Sequence, residues 1–186
     1  MPDSEPNQED VNRLDANRLD PADEAIVAAQ LGRVPRGVAG VAWRCPCGKP
    51  GVLATYPRLP DGTPFPTTYY LTCPRAVAAA SKLEANQVMA DMNARLAADP
   101  ELAERYRAAH QAYLADRERL GSVPEIAGVS AGGMPTRVKC LHALAGHALA
   151  AGRGVNPLGD EALDAMGEFW DHPCLGETNP ESGADA

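Results

Sequence analysis

The stretch RCPCGKPGVLATYPRLPDGTPFPTTYYLTCPR, residues 44–75, decides the fold because it alternates β-forming runs with turn residues. The run VLATYPRL (52–59) predicts one strand and TTYYLT (67–72) predicts another, and the turn-rich segment PDGTPFP joins them. A further strand is predicted just upstream, over GVAGVAW (37–43). Strands that follow one another so closely usually pair with their neighbours, so the sequence predicts a small antiparallel three-stranded meander.

Beyond the meander the composition changes to Ala, Leu, Met and Glu at helical spacing, which predicts helices over 74–97 and 100–120. Asp99 suits an N-cap and Pro100 suits the first helical position. The two segments together predict an αα-hairpin that packs against the sheet. The remaining predicted elements are helices over 21–32, 135–151 and 160–170 and a Gly/Pro/Ser-rich loop over 121–135.

The predicted fold class is α+β, with the meander packed against the αα-hairpin and a third long helix. A chain of 186 residues with 45% hydrophobic residues is long enough for one domain with a sizeable core. We expect that domain to span 21–170, between a disordered acidic N-terminal tail (1–20) and a disordered acidic C-terminal tail (171–186).

Charge is distributed unevenly along the chain. The formal net charge is −8, but residues 1–24 carry −6, residues 151–186 carry −7, and residues 25–150 carry +5. Acidic tails keep a small protein soluble, and this is one interpretation of the pattern. The other is that the basic middle segment meets a small anionic ligand or partner.

The sequence argues against several classes of protein. It has no apolar run long enough to span a membrane, and its first thirty residues lack the basic start and apolar block of a secretory signal. We therefore expect a cytoplasmic protein without a membrane partner. Nucleic-acid binding is disfavoured, because no basic stripe with interleaved aromatic residues is present.

Five cysteines carry the functional signal, because clustered cysteines in a reducing compartment serve as metal ligands or reactive thiols more often than as disulfides. Cys45 and Cys47 lie at the first strand connection, where an extended C-x-C places both sulfurs on one side. Cys73 ends the third strand at a predicted helix N-cap, where the helix dipole favours a thiolate. Cys140 lies further along the chain, in the predicted third long helix.

That helix contains RVKCLHALAGHALA, residues 137–150, with one cysteine and two histidines. In a helix, residues seven apart share a stripe, so Cys140 and His147 are predicted on one face and His142 nearly opposite. The predicted metal ligands are Cys45, Cys73 and Cys140, with Cys47 or His147 as the fourth.

The nature of the metal stays open between an iron–sulfur cluster and zinc. An almost all-sulfur ligand set with two Cys-Pro pairs favours iron–sulfur, and the same set suits zinc. Cys174 is interpreted as a spare thiol beside His172, which is a possible chelator. Two alternatives remain at this point: the cysteines are small buried apolar residues, or the protein is a metal-free thiol enzyme. That enzyme would use Cys73 or Cys140 as nucleophile and His147 or His142 as base.

Four arginines lie near the cysteines in sequence, and we expect them to surround an anionic ligand or to offset the charge of a cluster. They are Arg44, Arg58, Arg75 and Arg137. The last of them follows SAGGMPTR (130–137), a glycine loop running into a predicted helix start, where backbone N–H groups can bind an anion. The alternative for this loop is a plain linker.

Three runs together resemble the bacterial, mainly actinobacterial family known as domain of unknown function 501, over residues 32–163. They are RCPCGKPGVLATYPRLPDGTPFPTTYYLTCPR, SAGGMPTRVKCLHALAGHALA and GVNPLGDEAL. The resemblance implies a soluble bacterial protein with a Cys/His signature and supplies no reaction. Genes of the family often lie near those for enolase, a septum-formation initiator and a Ppx/GppA-type exopolyphosphatase. This neighbourhood implies a further alternative, an interaction module whose helical hairpin docks a protein of cell division or of polyphosphate or nucleotide metabolism.

Overall fold

The computed structural model of the protein describes residues 19–175. The predicted disordered tails, 1–20 and 171–186, lie mostly outside these residues. No helix within 19–175 is long and apolar enough to cross a membrane.

The described chain forms one three-stranded antiparallel sheet and six α-helices. The strands pair in the order β1-β2-β3 and comprise β1 Val38–Arg44, β2 Pro50–Thr55 and β3 Tyr69–Leu71. The helices are α1 Pro21–Leu31, α2 Pro74–Ala85, α3 Val88–Ala98, α4 Pro100–Leu120, α5 Leu141–Ala151 and α6 Pro157–Met166, with a short 3₁₀ turn at Pro124–Ile126. This arrangement confirms the predicted α+β class and its antiparallel meander.

The sheet is covered on both faces, and its central strand β2 is buried along its whole length. Leu53 joins Val27 of α1 and Val41 of β1 in one apolar cluster. Its neighbour Val52 points to the other face and joins the cluster built by α2 and α5, which includes Ala145. The α-helical layer therefore packs on one side of the sheet and α1 on the other.

Two helix starts are where the sequence predicts them. Asp20 caps α1 by accepting a hydrogen bond from the Asp23 N–H at 2.7 Å. Asp99 caps α4 by accepting from the N–H groups of Glu101 and Leu102 at 2.9 and 3.1 Å. Both helices have proline in their first turn, as predicted.

The predicted helix over 74–97 is divided in two, which corrects the sequence analysis. α2 ends at Ala85, and Gln87 adopts a left-handed backbone with φ 60° before α3 begins at Val88. Only α3 and α4 form the predicted αα-hairpin, and α2 becomes a separate helix. No glycine or proline marks the break, so the sequence pattern did not indicate it.

The predicted helix over 135–151 begins at Leu141 instead, because the preceding residues are held extended. The Asn93 side chain donates to the Val138 carbonyl at 2.9 Å and accepts from the Val138 N–H at 2.7 Å. The Lys139 N–H donates to the Gly132 carbonyl at 2.7 Å. These bonds use the backbone groups that a helix would need, so α5 forms only after Cys140.

The loop over 121–135 is packed against α4. Arg117 is 1% exposed, and its guanidinium donates to the carbonyls of Ile126, at 2.9 Å, and Val129. His110 contacts Ser130 through its Nδ1 at 2.8 Å. A buried charge must be hydrogen-bonded, and the Arg117 guanidinium finds its partners in the loop carbonyls. The loop is therefore held against α4.

Replacing Gln87 by glycine is expected to stabilise the protein. A left-handed backbone costs an L-residue about 1–2 kcal/mol that glycine does not pay, and part of the gain is lost to the flexibility of glycine in the unfolded chain. We expect a net gain of about 0.5–1 kcal/mol and a rise of about 1–4 °C in Tm, measured by thermal denaturation. Gln87→Ala is the matched control and should bring no gain, because alanine keeps the Cβ. Equal Tm values for the two variants would contradict the assignment of strain to this position.

Candidate metal sites

Four of the five cysteines lie in one region of the structure. Cys45 follows β1, Cys47 lies in the turn to β2, Cys73 precedes α2, and Cys174 belongs to the segment after α6. Cys45, Cys73 and Cys174 are 2%, 0% and 7% exposed and belong to one buried cluster, against which Cys47 packs. The cluster joins parts of the chain that are more than a hundred residues apart in sequence.

The turn between β1 and β2 positions the first two thiols. The Cys45 N–H donates to the Lys49 carbonyl at 3.0 Å, and the Gly48 N–H donates to the Cys45 carbonyl at 2.8 Å. Gly48 has φ 84°, a conformation that favours glycine. The chain therefore reverses within CPCGK, and both cysteines lie against the buried cluster.

The C-terminal segment that carries Cys174 is tied to the same corner by side chains from two other elements. Arg75, in the first turn of α2, donates to the Pro173 carbonyl at 3.2 Å. Lys49 donates to the Leu175 carbonyl at 3.2 Å. The Cys174 sulfur lies 3.5 Å from the Cys47 sulfur. Cys174, which the sequence analysis interprets as a spare thiol, thus lies beside another cysteine of the cluster.

The sulfur atoms influence one another's protonation. Burial raises the pKa of the Cys45 thiol to about 12, and burial together with the neighbouring Cys47 raises that of Cys174 to about 11. Burial also acts on Cys47, but the backbone N–H groups of Cys174 and Lys49 outweigh it and lower the Cys47 pKa to about 7. One thiolate thus forms readily in the group, and a bound cation would favour thiolate at the others.

An apolar layer shields this corner. The Trp43 and Phe169 rings meet edge to face with centroids 6.3 Å apart. Gly51 makes room for Trp43, because a Cβ at this position would lie 2.4 Å from the indole ring. Such a layer limits solvent access to a cluster of thiols.

A second group lies where α2 ends and α5 begins, and comprises Glu84, Cys140 and His142. His142 Nδ1 lies 3.1 Å from Glu84 Oε1 and 3.8 Å from the Cys140 sulfur. Among residues 19–175 this is the one set of three or more potential ligands whose atoms all lie within 4.8 Å of one another. The sulfurs of the four-cysteine cluster are spread more widely, and no three of them lie within 4.8 Å of one another.

The proximity of Cys140 and His142 corrects the prediction that they lie on nearly opposite faces of one helix. Cys140 has φ −152° and ψ 115° and precedes α5, so it does not share a helical face with His147. In extended backbone, side chains two residues apart point to the same side. The Cys140 thiol therefore lies beside His142, although the predicted helix placed the two on opposite sides.

His147 lies in the helical core and is fully buried. Its Nδ1 is 3.2 Å from the Asn156 amide nitrogen, and its ring lies 5.8 Å from that of Tyr69 and 5.1 Å from that of Tyr113. Burial lowers the pKa of His147 to about 4. No cysteine is among its hydrogen-bond partners in the described structure, so it does not complete either group.

Three of the four arginines expected around an anion already face carboxylates. Arg44 pairs with the buried Asp23, Arg58 binds Glu125 through both carboxylate oxygens at 2.8 Å, and Arg75 pairs with Asp171 at 3.3 Å. The fourth, Arg137, is exposed on the loop before α5. The first three arginines thus form ion pairs that join separate elements of the fold.

The glycine loop over 130–137 does not end at a helix start. Arg137 N–H donates to the Gly133 carbonyl at 3.2 Å, and Met134 N–H to the Ala131 carbonyl at 3.3 Å. A Cβ at Gly133 would lie 2.7 Å from the Arg137 carbonyl oxygen. The loop folds tightly on itself, so these N–H groups are used internally and are not presented to an anion.

The family model described as protein of unknown function (DUF501) matches residues 41–164. The chain belongs to this family. None of the curated proteins and none of the solved structures matches it. The DUF501 match contains every residue of both candidate groups except Cys174, which lies beyond its end.

Sequence reasoning missed two residues of these groups. Cys174 carries a weak signal, since it follows His172-Pro173 in a short segment that also holds Phe169 and Trp170. Glu84 carries none, because a glutamate near the end of a helix is ordinary in sequence. Its Oε1 is identified only by its contacts, which include the Leu141 N–H at 2.7 Å.

The buried His147 predicts a loss of stability in mild acid. Its folded-state pKa is about 4, below the ordinary 6.5, so the unfolded chain takes up the proton first as the pH falls. The stability contributed by neutral His147 is complete above pH 6.5 and falls toward pH 4, by up to about 3 kcal/mol. Urea unfolding across this range should show a weaker pH dependence for His147→Asn, which keeps an acceptor for Asn156. Identical slopes for both proteins would contradict the buried neutral state.

Proposed function

We propose that the protein binds a single zinc ion through Cys45, Cys47, Cys73 and Cys174, and that this ion is structural. The observation that carries the proposal is the 3.5 Å approach of the Cys47 and Cys174 sulfurs within a group of four thiols, three of which are buried. A closed set of four cysteines is the ligand set of structural zinc. The ion would join the β1–β2 turn, the start of α2 and the C-terminal segment.

The spacing of the sulfurs favours a single ion over an iron–sulfur cluster. Zinc–sulfur bonds of about 2.3 Å place tetrahedral sulfur ligands about 3.8 Å apart. The Cys47–Cys174 distance of 3.5 Å is close to that edge, whereas a cluster would hold its ligands apart by its own width. Because no three of the four sulfurs lie within 4.8 Å of one another, Cys45 and Cys73 would have to move toward this pair to complete the tetrahedron.

The protonation of the thiols supports the same proposal. Cys47, with its pKa near 7, supplies the first thiolate to an arriving cation. A bound cation would favour loss of the protons of Cys45 and Cys174, whose thiol pKa values are raised by burial. The backbone N–H groups directed at the Cys47 sulfur would remain as the second layer of the site.

A zinc ion also suits the energetics of this chain. Aromatic residues make up only 5% of the sequence, so large side chains contribute little to the core. Between residues 167 and 175, where the described chain ends, there is no strand or helix, and a few side chains fix this segment. A metal that binds only the folded state stabilises it by its binding free energy, and this contribution would act where packing is weakest.

Removing one ligand is expected to abolish tight zinc binding. Protein purified without oxygen should contain one zinc per chain at the four-cysteine site after passage over a mild chelator, and Cys174→Ser should contain none there. Its Tm should fall by about 6–12 °C, since a loss of about 3 kcal/mol or more is expected for a structural ion in a domain of this size. Cys140→Ser is the matched control, because it removes a thiol outside the group and should retain the ion. Elemental analysis and thermal denaturation measure both effects.

Three results would contradict the zinc proposal. Cys174→Ser could retain the ion as the unaltered chain does, or the purified protein could carry no metal in this cluster. A brown protein that contains iron and sulfide in equal amounts would show that this region holds an iron–sulfur cluster and not zinc.

Metal removal is expected to loosen the three joined segments and leave the helical hairpin unchanged. After chelation, amide hydrogen exchange should rise at 45–49, at Cys73 and at 171–175, because these segments lose their common ligand. Amides in the middle of α4, around the buried Tyr106 and Tyr113, should exchange as before. A uniform rise along the chain would show global destabilisation and would argue against a local structural ion.

A further inference from the structure

The group of Glu84, Cys140 and His142 lies outside the four-cysteine cluster and is more compact. We propose that these three side chains form a second metal site, which binds a divalent ion of the zinc type and leaves its fourth coordination position open to solvent. The inference rests on the mutual spacing of the three donor atoms within 4.8 Å. It is independent of the four-cysteine site.

The orientation of His142 favours coordination over nucleophilic catalysis. In a nucleophile–histidine–carboxylate triad, one ring nitrogen faces the nucleophile and the other faces the carboxylate. Here the Nδ1 atom faces both, at 3.8 Å from the Cys140 sulfur and 3.1 Å from Glu84 Oε1. Three donor atoms that converge on one point suit a shared cation, and they do not suit a proton relay.

The surroundings of the group match the outer layer of a metal site. His142 Nε2 lies 3.1 Å from the Ser81 hydroxyl, so an Nε2–H can donate there while Nδ1 faces the ion. The Leu141 N–H donates to Glu84 Oε1 at 2.7 Å and fixes the carboxylate. Both ligands are thus oriented by groups from α2 and α5 that would not themselves touch the metal.

A cap for α5 explains only part of this arrangement. Glu84 accepts a hydrogen bond from the first residue of α5, and this accounts for its oxygen. It lies, however, in the last turn of α2, where the helix dipole disfavours a carboxylate. A cation at the group would offset this cost and would also explain the thiol and the imidazole.

The donor set and its exposure define the type of ion and of site. One sulfur, one nitrogen and one oxygen suit zinc, and a thiolate with a carboxylate balances its two charges. The side chains of His142 and Glu84 are 27% and 26% exposed, so water reaches them. Three protein ligands with access for a fourth from solvent are typical of catalytic zinc, whereas the four-cysteine site is closed.

The test measures how zinc protects Cys140 from alkylation in the full-length protein. Iodoacetamide modification of each cysteine is followed by peptide mass spectrometry with and without added zinc chloride. Zinc should slow alkylation of Cys140 at least tenfold in the unaltered chain. Glu84→Gln and His142→Asn should need at least about tenfold more zinc for the same protection, and Ser81→Ala about 10–100-fold more, because outer-layer groups tune affinity to this extent.

The controls separate loss of the site from loss of the fold. Glu84→Gln keeps an oxygen that accepts from the Leu141 N–H, so α5 retains its cap, and circular dichroism checks this. Glu104→Gln removes an exposed carboxylate on α4 and should leave the protection unchanged. Because each cysteine is followed separately, protection at Cys140 is independent of protection at the other four.

Cobalt provides the test of the open position. With cobalt bound, addition of azide should change the visible spectrum in the unaltered chain, and Cys140→Ser should abolish this change. The second site would be overturned if Cys140 were alkylated at the same rate with and without zinc. It would also be overturned if zinc protected Cys140 in Glu84→Gln as well as it does in the unaltered chain. Protection without any azide effect would overturn its open position.

Discussion

The contact between the sulfurs of Cys47 and Cys174, 3.5 Å apart, is the interaction on which the rest of the structure depends. It brings the segment after α6 back to the first turn of the sheet and so closes the chain on itself. Phe169 then packs on Trp43, and Arg75 binds the Pro173 carbonyl. None of these contacts is large, and a metal shared by four thiols would unite them. The corner with the least regular structure would thus be the one held by the strongest bonds.

The two candidate metal sites lie at opposite ends of one helix. Cys73 precedes the first residue of α2, whereas Ser81 and Glu84 lie in its last turns. A helix of this length spans about 18 Å, so α2 acts as a rigid spacer between the two sites. One is buried, closed and all-sulfur, and the other is half-exposed, mixed in its donors and open. The four-cysteine site would thus hold a structural ion that fixes the start of α2, and the second site would hold an ion accessible to solvent at the end of α2.

The sequence predicted the parts of this arrangement that depend on local chemistry. The strands, the helix starts at Pro21 and Pro100 with the cap at Asp99, and the placement of three cysteines at the sheet end followed from period and turn residues. The position of Cys174 beside these three cysteines could not be predicted in this way, because its contact with the sheet end joins residues far apart in sequence. The prediction that Cys140 shares a helical face with His147 was wrong, because Asn93 binds the backbone of Val138 and holds the chain before α5 extended. At these two cysteines, side chains from distant elements limited the prediction, whereas the helix break at Gln87 carries no signal in the local sequence.

Zinc K-edge X-ray absorption on the Cys140→Ser variant loaded with one equivalent of zinc tests the central claim most directly. This variant lacks the second site, so the spectrum reports the four-cysteine cluster alone. We expect a single shell of four sulfur atoms at about 2.3 Å from the ion. A shell dominated by nitrogen or oxygen, or failure of the variant to retain one equivalent, would contradict it.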